Sequence, residues 1–142
     1  MKRVLIVGCG FAGLNAAKTL GGAHDVEVTV VDRRNHHLFQ PLLYQVAMAE
    51  LSPAEIAAPI RSLLSSYPNV RVLLGEVKSL DLERRTAKLD IGDLSFDYLL
   101  LACGSSHYYF GHPEWEEFAP GLKSIEQATE IYSQLIRHWC QI

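Results

Sequence analysis

The stretch VGCGFAGLNAAKTL, from Val7 to Leu20, settles the architecture of this chain. Gly8, Gly10 and Gly13 fall at the spacing G-x-G-x-x-G. Before it, Arg3 to Val7 is a short apolar run that reads as a buried parallel strand. After it, Phe11, Leu14, Ala17 and Leu20 recur at helical spacing, and Gly21-Gly22 ends the helix. Val26 to Val31 is a second, β-branched strand that closes at Asp32. Strand, glycine turn, helix and strand within about 30 residues make a βαβ unit.

In that setting the glycines point to a dinucleotide. Gly8 suits a tight turn off the strand, Gly10 removes a side chain where a pyrophosphate would approach, and Gly13 lets the helix lie on the strand. The helix start offers N–H groups and a positive dipole end to phosphates. Asp32 follows about 20 residues later, where a carboxylate can accept bonds from ribose hydroxyls. The bland reading is a glycine-rich turn with no ligand and Asp32 as a strand-end cap. Arg33 and Arg34 could hold a 2′-phosphate or form a solvated turn, and the Asp32 carboxylate would repel such a phosphate. Charge alone does not separate NAD from FAD.

The 142 residues suit one domain with a real core. Hydrophobic residues at 49% and charged residues at 20% describe a globular chain. A net charge of −3 gives no reason to expect a nucleic-acid partner. No apolar run reaches the length of a membrane span, and MKRVLIVGCG is too short for a signal peptide. Cys9, Cys103 and Cys140 are far apart and odd in number, which suggests reduced thiols in a cytoplasmic protein. Cys9 and Cys103 both follow strands and read as small buried residues rather than a redox pair.

Arg33 to Glu50 has no clean period and reads as an ordered loop or broken helix, with His36 and His37 as loop histidines rather than metal ligands. Ser52, Pro53 and Glu55 compose a helix start, with Ile56, Ile60, Leu63 and Leu64 as its buried stripe. Val70 to Leu74 is a third strand. Glu76–Leu82, Thr86–Ile91 and Leu94–Phe96 follow as an antiparallel meander, turned by Arg84-Arg85 and Gly92-Asp93. Within it Ala87, Leu89 and Ile91 form the dry face. Tyr98 to Ala102 reads as a buried strand stopped by Gly104. Ser124 and Gln127 cap a last helix with the stripe Ile125, Ala128, Ile131, Leu135 and Trp139.

A βαβ unit, then a meander, then a strand ending Ala102-Cys103-Gly104 resembles the FAD half of the two-dinucleotide-domain flavoproteins, where that motif is usually Ala-Thr-Gly. VVDRRNHHLFQPLLYQVAMAELSPAEIAAPIR (Val30 to Arg61) and FDYLLLACGSSHYYFGHPEWEEFAPGLKSIEQATEI (Phe96 to Ile131) resemble the type II NADH dehydrogenases more specifically. The implied fold class is α/β, a Rossmann-like FAD/NAD(P)-binding fold with a parallel sheet and a three-stranded antiparallel meander, here incomplete. The resemblance implies electron transfer from NADH through FAD to a membrane quinone. It places Gly8, Gly10, Phe11, Ala12 and Gly13 around the FAD pyrophosphate, Asp32 at the adenosine ribose and Val77 at the adenine; Arg33, beside Asp32, is a further cofactor-binding candidate on its position and charge. Ala102, Cys103 and Gly104 would pack near the phosphates, and Gln40, Pro41 and Leu42 would run toward the flavin.

Residues 1–142 are thus expected to be the N-terminal part of an FAD-binding domain. The family's NADH-binding motif and its C-terminal membrane-binding part are absent, so the chain alone is not expected to be catalytically competent. A full-length relative would sit on the inner face of the cytoplasmic membrane. An apolar surface left exposed where the sheet lacks a partner predicts aggregation or dimerisation, a homodimer among the possible partners. Tyr108, Tyr109, Phe110 and Trp115 either cover part of the flavin or form a satellite core under a loop. The alternatives are a non-catalytic Rossmann-like nucleotide-binding module, an NAD(P)-binding dehydrogenase domain, and a relative such as sulfide:quinone oxidoreductase.

Overall fold

Apolar runs spaced by glycine turns place one strand after another in a parallel sheet, and the computed structural model builds that sheet. It describes residues 1–140. The chain divides into two compact units, residues 1–37 with 59–104, and residues 38–58 with 105–142.

The first unit holds strands β1 (Lys2–Val7) and β2 (Val26–Asp32), joined by helix α1 (Phe11–Leu20). With β5 (Val70–Leu74) and β9 (Tyr98–Leu101) they form a four-stranded sheet of order β5-β2-β1-β9. All its pairs are parallel, with Ile6 opposite Val30 and Leu100, and Val30 opposite Val72. Strands β6 (Val77–Asp81), β7 (Thr86–Leu89) and β8 (Gly92–Ser95) make the expected antiparallel meander.

Side-chain alternation along the strands feeds two cores. Ile6, Val28 and Val30 pack with Leu14 and Ala17 of α1 and with Ile60 and Leu64 of helix α3 (Ile60–Leu64). Leu5 and Val31 pack with Ala87, Leu89 and Phe96. Both faces of the parallel sheet are therefore covered, which its near-continuous apolar strands require. Each fully buried aliphatic side chain here stabilises by about 1.5–3 kcal/mol.

The second unit contains strand residues at the ends of β3 (His36–Leu38) and β4 (Ala57–Pro59), helix α2 (Leu43–Ala47) and helix α4 (Ile125–Trp139). Its core gathers Leu38, Leu43, Val46, Ala47, Ile56 and Ala128. The Ser124 hydroxyl accepts the Gln127 N–H at 3.3 Å, so the cap read from sequence starts α4 as expected.

Several sequence expectations are corrected. Ser52-Pro53-Ala54-Glu55 does form a capped start, with the Ser52 N–H donating to Glu55 Oε2 at 2.6 Å, but only a 3-10 turn follows. Pro59 disfavours helical backbone at Ala58, so the chain runs extended through β4 and the helix begins anew at Ile60. The single stripe divides: Ile56 joins one core, and Ile60 and Leu64 join the other. β9 is an edge strand, and Tyr98, Leu100 and Leu101 are exposed rather than buried. In the meander Ile91 is exposed because Asp90 and Ile91 form the turn, and Gly92 opens the next strand. In α4 only the first half of the stripe is covered, and Leu135 and Trp139 are exposed. Arg33 to Glu50 is a broken helix preceded by a strand, β3, that the irregular sequence did not announce.

Candidate functional site

The glycine turn sits at the carboxyl ends of β1, β2 and β9, where open α/β sheets leave a crevice. Its three glycines have three different surroundings. Gly8 has φ +94°, and a Cβ there would lie 2.4 Å from the Ala102 carbonyl oxygen. A Cβ on Gly13 would lie 1.8 Å from the Gly8 carbonyl oxygen. These two positions are closed by backbone. At Gly10 a Cβ would meet nothing within 4 Å. The absence of a side chain at Gly10 serves no packing need of this unit; it leaves space in front of the start of α1. Gly10 is the N-cap of α1, and no side chain caps the helix. The first-turn amides and the positive dipole end face that space.

Asp32 ends β2 beside this turn. Its Oδ2 accepts the Cys9 N–H at 2.6 Å and its Oδ1 accepts the Arg34 N–H at 2.8 Å. A carboxylate has about four acceptor positions, so two remain for hydroxyl donors. Val7, Gly8, Val31, Asp32, Arg33, Gly75, Glu76, Val77 and Cys103 line a cleft of about 330 Å³. The Glu76 N–H is held by Asp90 Oδ1 at 2.8 Å and the Gly75 N–H by the Asp32 carbonyl at 2.9 Å, which fixes the cleft's far wall.

The residues singled out from the sequence separate accordingly: Gly8, Asp32, Arg33, Val77 and Cys103 share the cleft. Gly10, Phe11, Ala12 and Gly13 form the adjoining start of α1, and Ala102 and Gly104 flank Cys103. Gln40, Pro41 and Leu42 form a 3-10 turn in the other unit, where Gln40 Nε2 donates to the Lys123 carbonyl at 3.4 Å.

Cys9 is buried, and burial, reinforced by the Asp32 charge, pushes its thiol up to about 11. Cys103 is exposed rather than buried, because β9 is the sheet edge. His37 is no loop residue: it lies in β3, is buried, and its Nδ1 stands 2.9 Å from the Cys9 carbonyl oxygen. Sequence reasoning missed this pair, because 28 positions separate the two residues and no local period links them. Among the described residues no group of three or more His, Cys, Asp or Glu is placed to hold a metal ion. Of the four aromatics after Gly104, Tyr108, Phe110 and Trp115 are exposed and form no satellite core, whereas Tyr109 is half-buried and its hydroxyl donates to the Ala119 carbonyl at 2.8 Å. Among the described residues no helix is long and apolar enough to cross a membrane.

Comparison with known proteins bears on the family and the fold. The family model of the pyridine nucleotide-disulphide oxidoreductases matches residues 2–141. The chain is 46% identical over 138 residues to the type II NADH:quinone oxidoreductase NdhA of Mycobacterium tuberculosis, covering 94% of this chain and 29% of that protein. It is 45% identical over 138 residues to Ndh of the same organism, covering 94% of this chain and 30% of that protein. The chain thus spans under a third of the length of these relatives. Among solved structures, NDH2 from Plasmodium falciparum, determined in complex with NADH, superposes with a TM-score of 0.85 at 23% identity, over 99% of this chain and 30% of that one. The sulfide:quinone oxidoreductase of Aquifex aeolicus gives 0.84 at 22% identity, over 99% and 33%. At these identities the two structures share the fold with this chain. The chain belongs to the pyridine nucleotide-disulphide oxidoreductase family.

Proposed function

We propose that this chain is part of the FAD-binding domain of an NADH:quinone oxidoreductase. The observation that carries the reading is Gly10: the one glycine of the motif with open space in front of it stands at an uncapped helix start. Identity of 46% to a type II NADH:quinone oxidoreductase supports the reaction class.

The residues present fit FAD. Gly8, Gly10, Phe11, Ala12 and Gly13 would hold its pyrophosphate with backbone amides and the helix dipole. Asp32 would take ribose hydroxyls on its remaining acceptor positions, and Arg33 and Val77 would border the adenine end of the cleft. Ala102, Cys103 and Gly104 would close the phosphate side, while Gln40, Pro41 and Leu42 would approach the flavin. Bound FAD supplies the hydride and electron chemistry, between NADH and a membrane quinone. The chain's own residues bind and orient it; none is needed as a general acid or nucleophile. The Asp32 carboxylate disfavours a 2′-phosphate, so NADPH is not the expected ligand of this cleft. In the cell such a protein would work at the inner face of the cytoplasmic membrane. The open β9 edge, with Tyr98, Leu100 and Leu101 exposed, supports association with a second copy, and light scattering after size exclusion reads that mass directly; a monomer would contradict it.

Titration of the 142-residue chain with FAD, followed by flavin fluorescence with NADH and NADPH as competitors, tests the reading. Saturable FAD binding that neither nicotinamide nucleotide displaces at equal concentration is expected. Stronger binding of NADPH than of FAD would overturn it and make this an NAD(P)-binding dehydrogenase domain.

A further inference from the structure

Cys9 lies between the first two glycines of the motif, and both of its backbone polar groups are held by side chains. Asp32 Oδ2 takes its N–H at 2.6 Å, and His37 Nδ1 stands 2.9 Å from its carbonyl oxygen. A carbonyl only accepts, so Nδ1 carries a hydrogen and donates it here. His37 is buried, and Phe11 meets its ring edge-on with centroids 5.2 Å apart.

The consequence is geometric. A trans peptide is planar, with its C=O and N–H pointing in opposite directions. The Cys9 carbonyl and the Gly10 N–H belong to one such plane. Holding the carbonyl against His37 therefore turns the Gly10 N–H away from β3. Among the described residues no acceptor takes that N–H. A Cβ on the same residue would meet nothing within 4 Å, so this side of the loop is open. Without a fixed carbonyl the glycine-flanked peptide is free to rotate, since glycine tolerates both signs of φ.

We propose that His37 is a positioning residue for the phosphate loop, which holds the Cys9–Gly10 peptide so that the Gly10 N–H is presented to a phosphate oxygen of the dinucleotide. The ligand's identity rests on the FAD reading above; the orientation of the peptide does not.

Two readouts keep these apart. His37→Phe retains a ring against Phe11 and removes the donor. His37→Asn places an amide donor where Nδ1 stood, and His37→Gln places one nearer the Nε2 position. In the ligand-free protein, the Gly10 amide resonance is expected to shift and broaden in His37→Phe and His37→Gln, and to return toward the wild-type position in His37→Asn. FAD affinity is expected to fall roughly fivefold to tenfold in His37→Phe, the size of one lost hydrogen bond, and to recover in His37→Asn. Thermal midpoints separate this from unfolding, and if His37→Phe does not fold, the His37→Asn and His37→Gln pair makes the comparison. An unchanged Gly10 amide and unchanged FAD affinity in a folded donor-less variant would overturn the proposal. Failure of the wild type to bind FAD would overturn the FAD reading, while the Gly10 resonance still decides the role of His37.

Discussion

A Cβ on Gly13 would stand 1.8 Å from the carbonyl oxygen of Gly8, so the motif's last glycine is packed directly on its first. Backbone cannot move aside as a side-chain tip can. Gly13→Ala should therefore cost at least about 2 kcal/mol, the upper range of overpacking. Gly10→Ala, facing open space, should cost less, about 0.5–1 kcal/mol, the difference between glycine and alanine at an N-cap. Urea unfolding of the two variants beside wild type checks the contrast. Equal losses would show that the two glycines share one structural role.

The pairing of β1 with β9 begins at Arg3 and Asp97, and it titrates. The Arg3 guanidinium and backbone N–H donate to the Asp97 carboxylate and pull its pKa from 3.8 to about 2. A carboxyl whose folded pKa is depressed contributes stability above its unfolded value and loses it as pH falls through the folded value. The contribution should be complete above about pH 4 and vanish toward pH 2. Because the pair is surface-exposed, its size is modest. Denaturation midpoints of wild type and Asp97→Asn across that window should converge at the acid end; parallel profiles would contradict the pairing.

Thiol reactivity should divide the cysteines two against one. Cys103 and Cys140 are exposed, whereas Cys9 is buried and its thiol is pushed up to about 11 by burial and by the Asp32 charge. Only a thiolate attacks a disulfide reagent. At pH 8, Ellman's reagent should titrate two thiols quickly and the third only after unfolding. The same shift lowers stability as pH rises from 9.0 toward about 11, because the unfolded chain loses the proton first. Three thiols reacting at one rate would contradict the burial of Cys9.

The start of α4 rests on a side-chain cap. The Ser124 hydroxyl accepts the Gln127 N–H, and Ala128 beneath it is fully buried. Ser124→Ala should cost about 1 kcal/mol, and Ser124→Asp should restore most of it. Chemical denaturation measures both; an unchanged midpoint in Ser124→Ala would show that the cap does not hold this helix start.

What the sequence disclosed and what it hid have physical causes. The βαβ unit was legible because glycine spacing, helical periodicity and a β-branched strand all agree between Val7 and Asp32. The meander was legible from alternation at Ala87 and Leu89, and α4 from Ser124 and Gln127. Each of these signals is local. The helix expected from Ser52 onward failed where a local signal met a stronger one: Pro59 stopped what the cap had started. The buried reading of Tyr98 to Ala102 failed because apolarity records what a strand can bury, and its place in the sheet decides what it does bury. In the candidate site, Gly8, Asp32 and Val77 could be named from motif and resemblance. The grip of His37 on Cys9 could not, since it joins residues that only the tertiary fold brings together.

If the open space before Gly10 is where a dinucleotide pyrophosphate sits, filling that space must expel the ligand and spare the fold. Gly10→Val fills it. Fluorescence titration of wild type and Gly10→Val with FAD, with the thermal midpoint of each recorded alongside, reads both effects. Wild type should bind saturably, and the variant should remain folded and lose at least about tenfold in affinity. Equal FAD affinity in the two proteins, both folded, would place the pyrophosphate elsewhere.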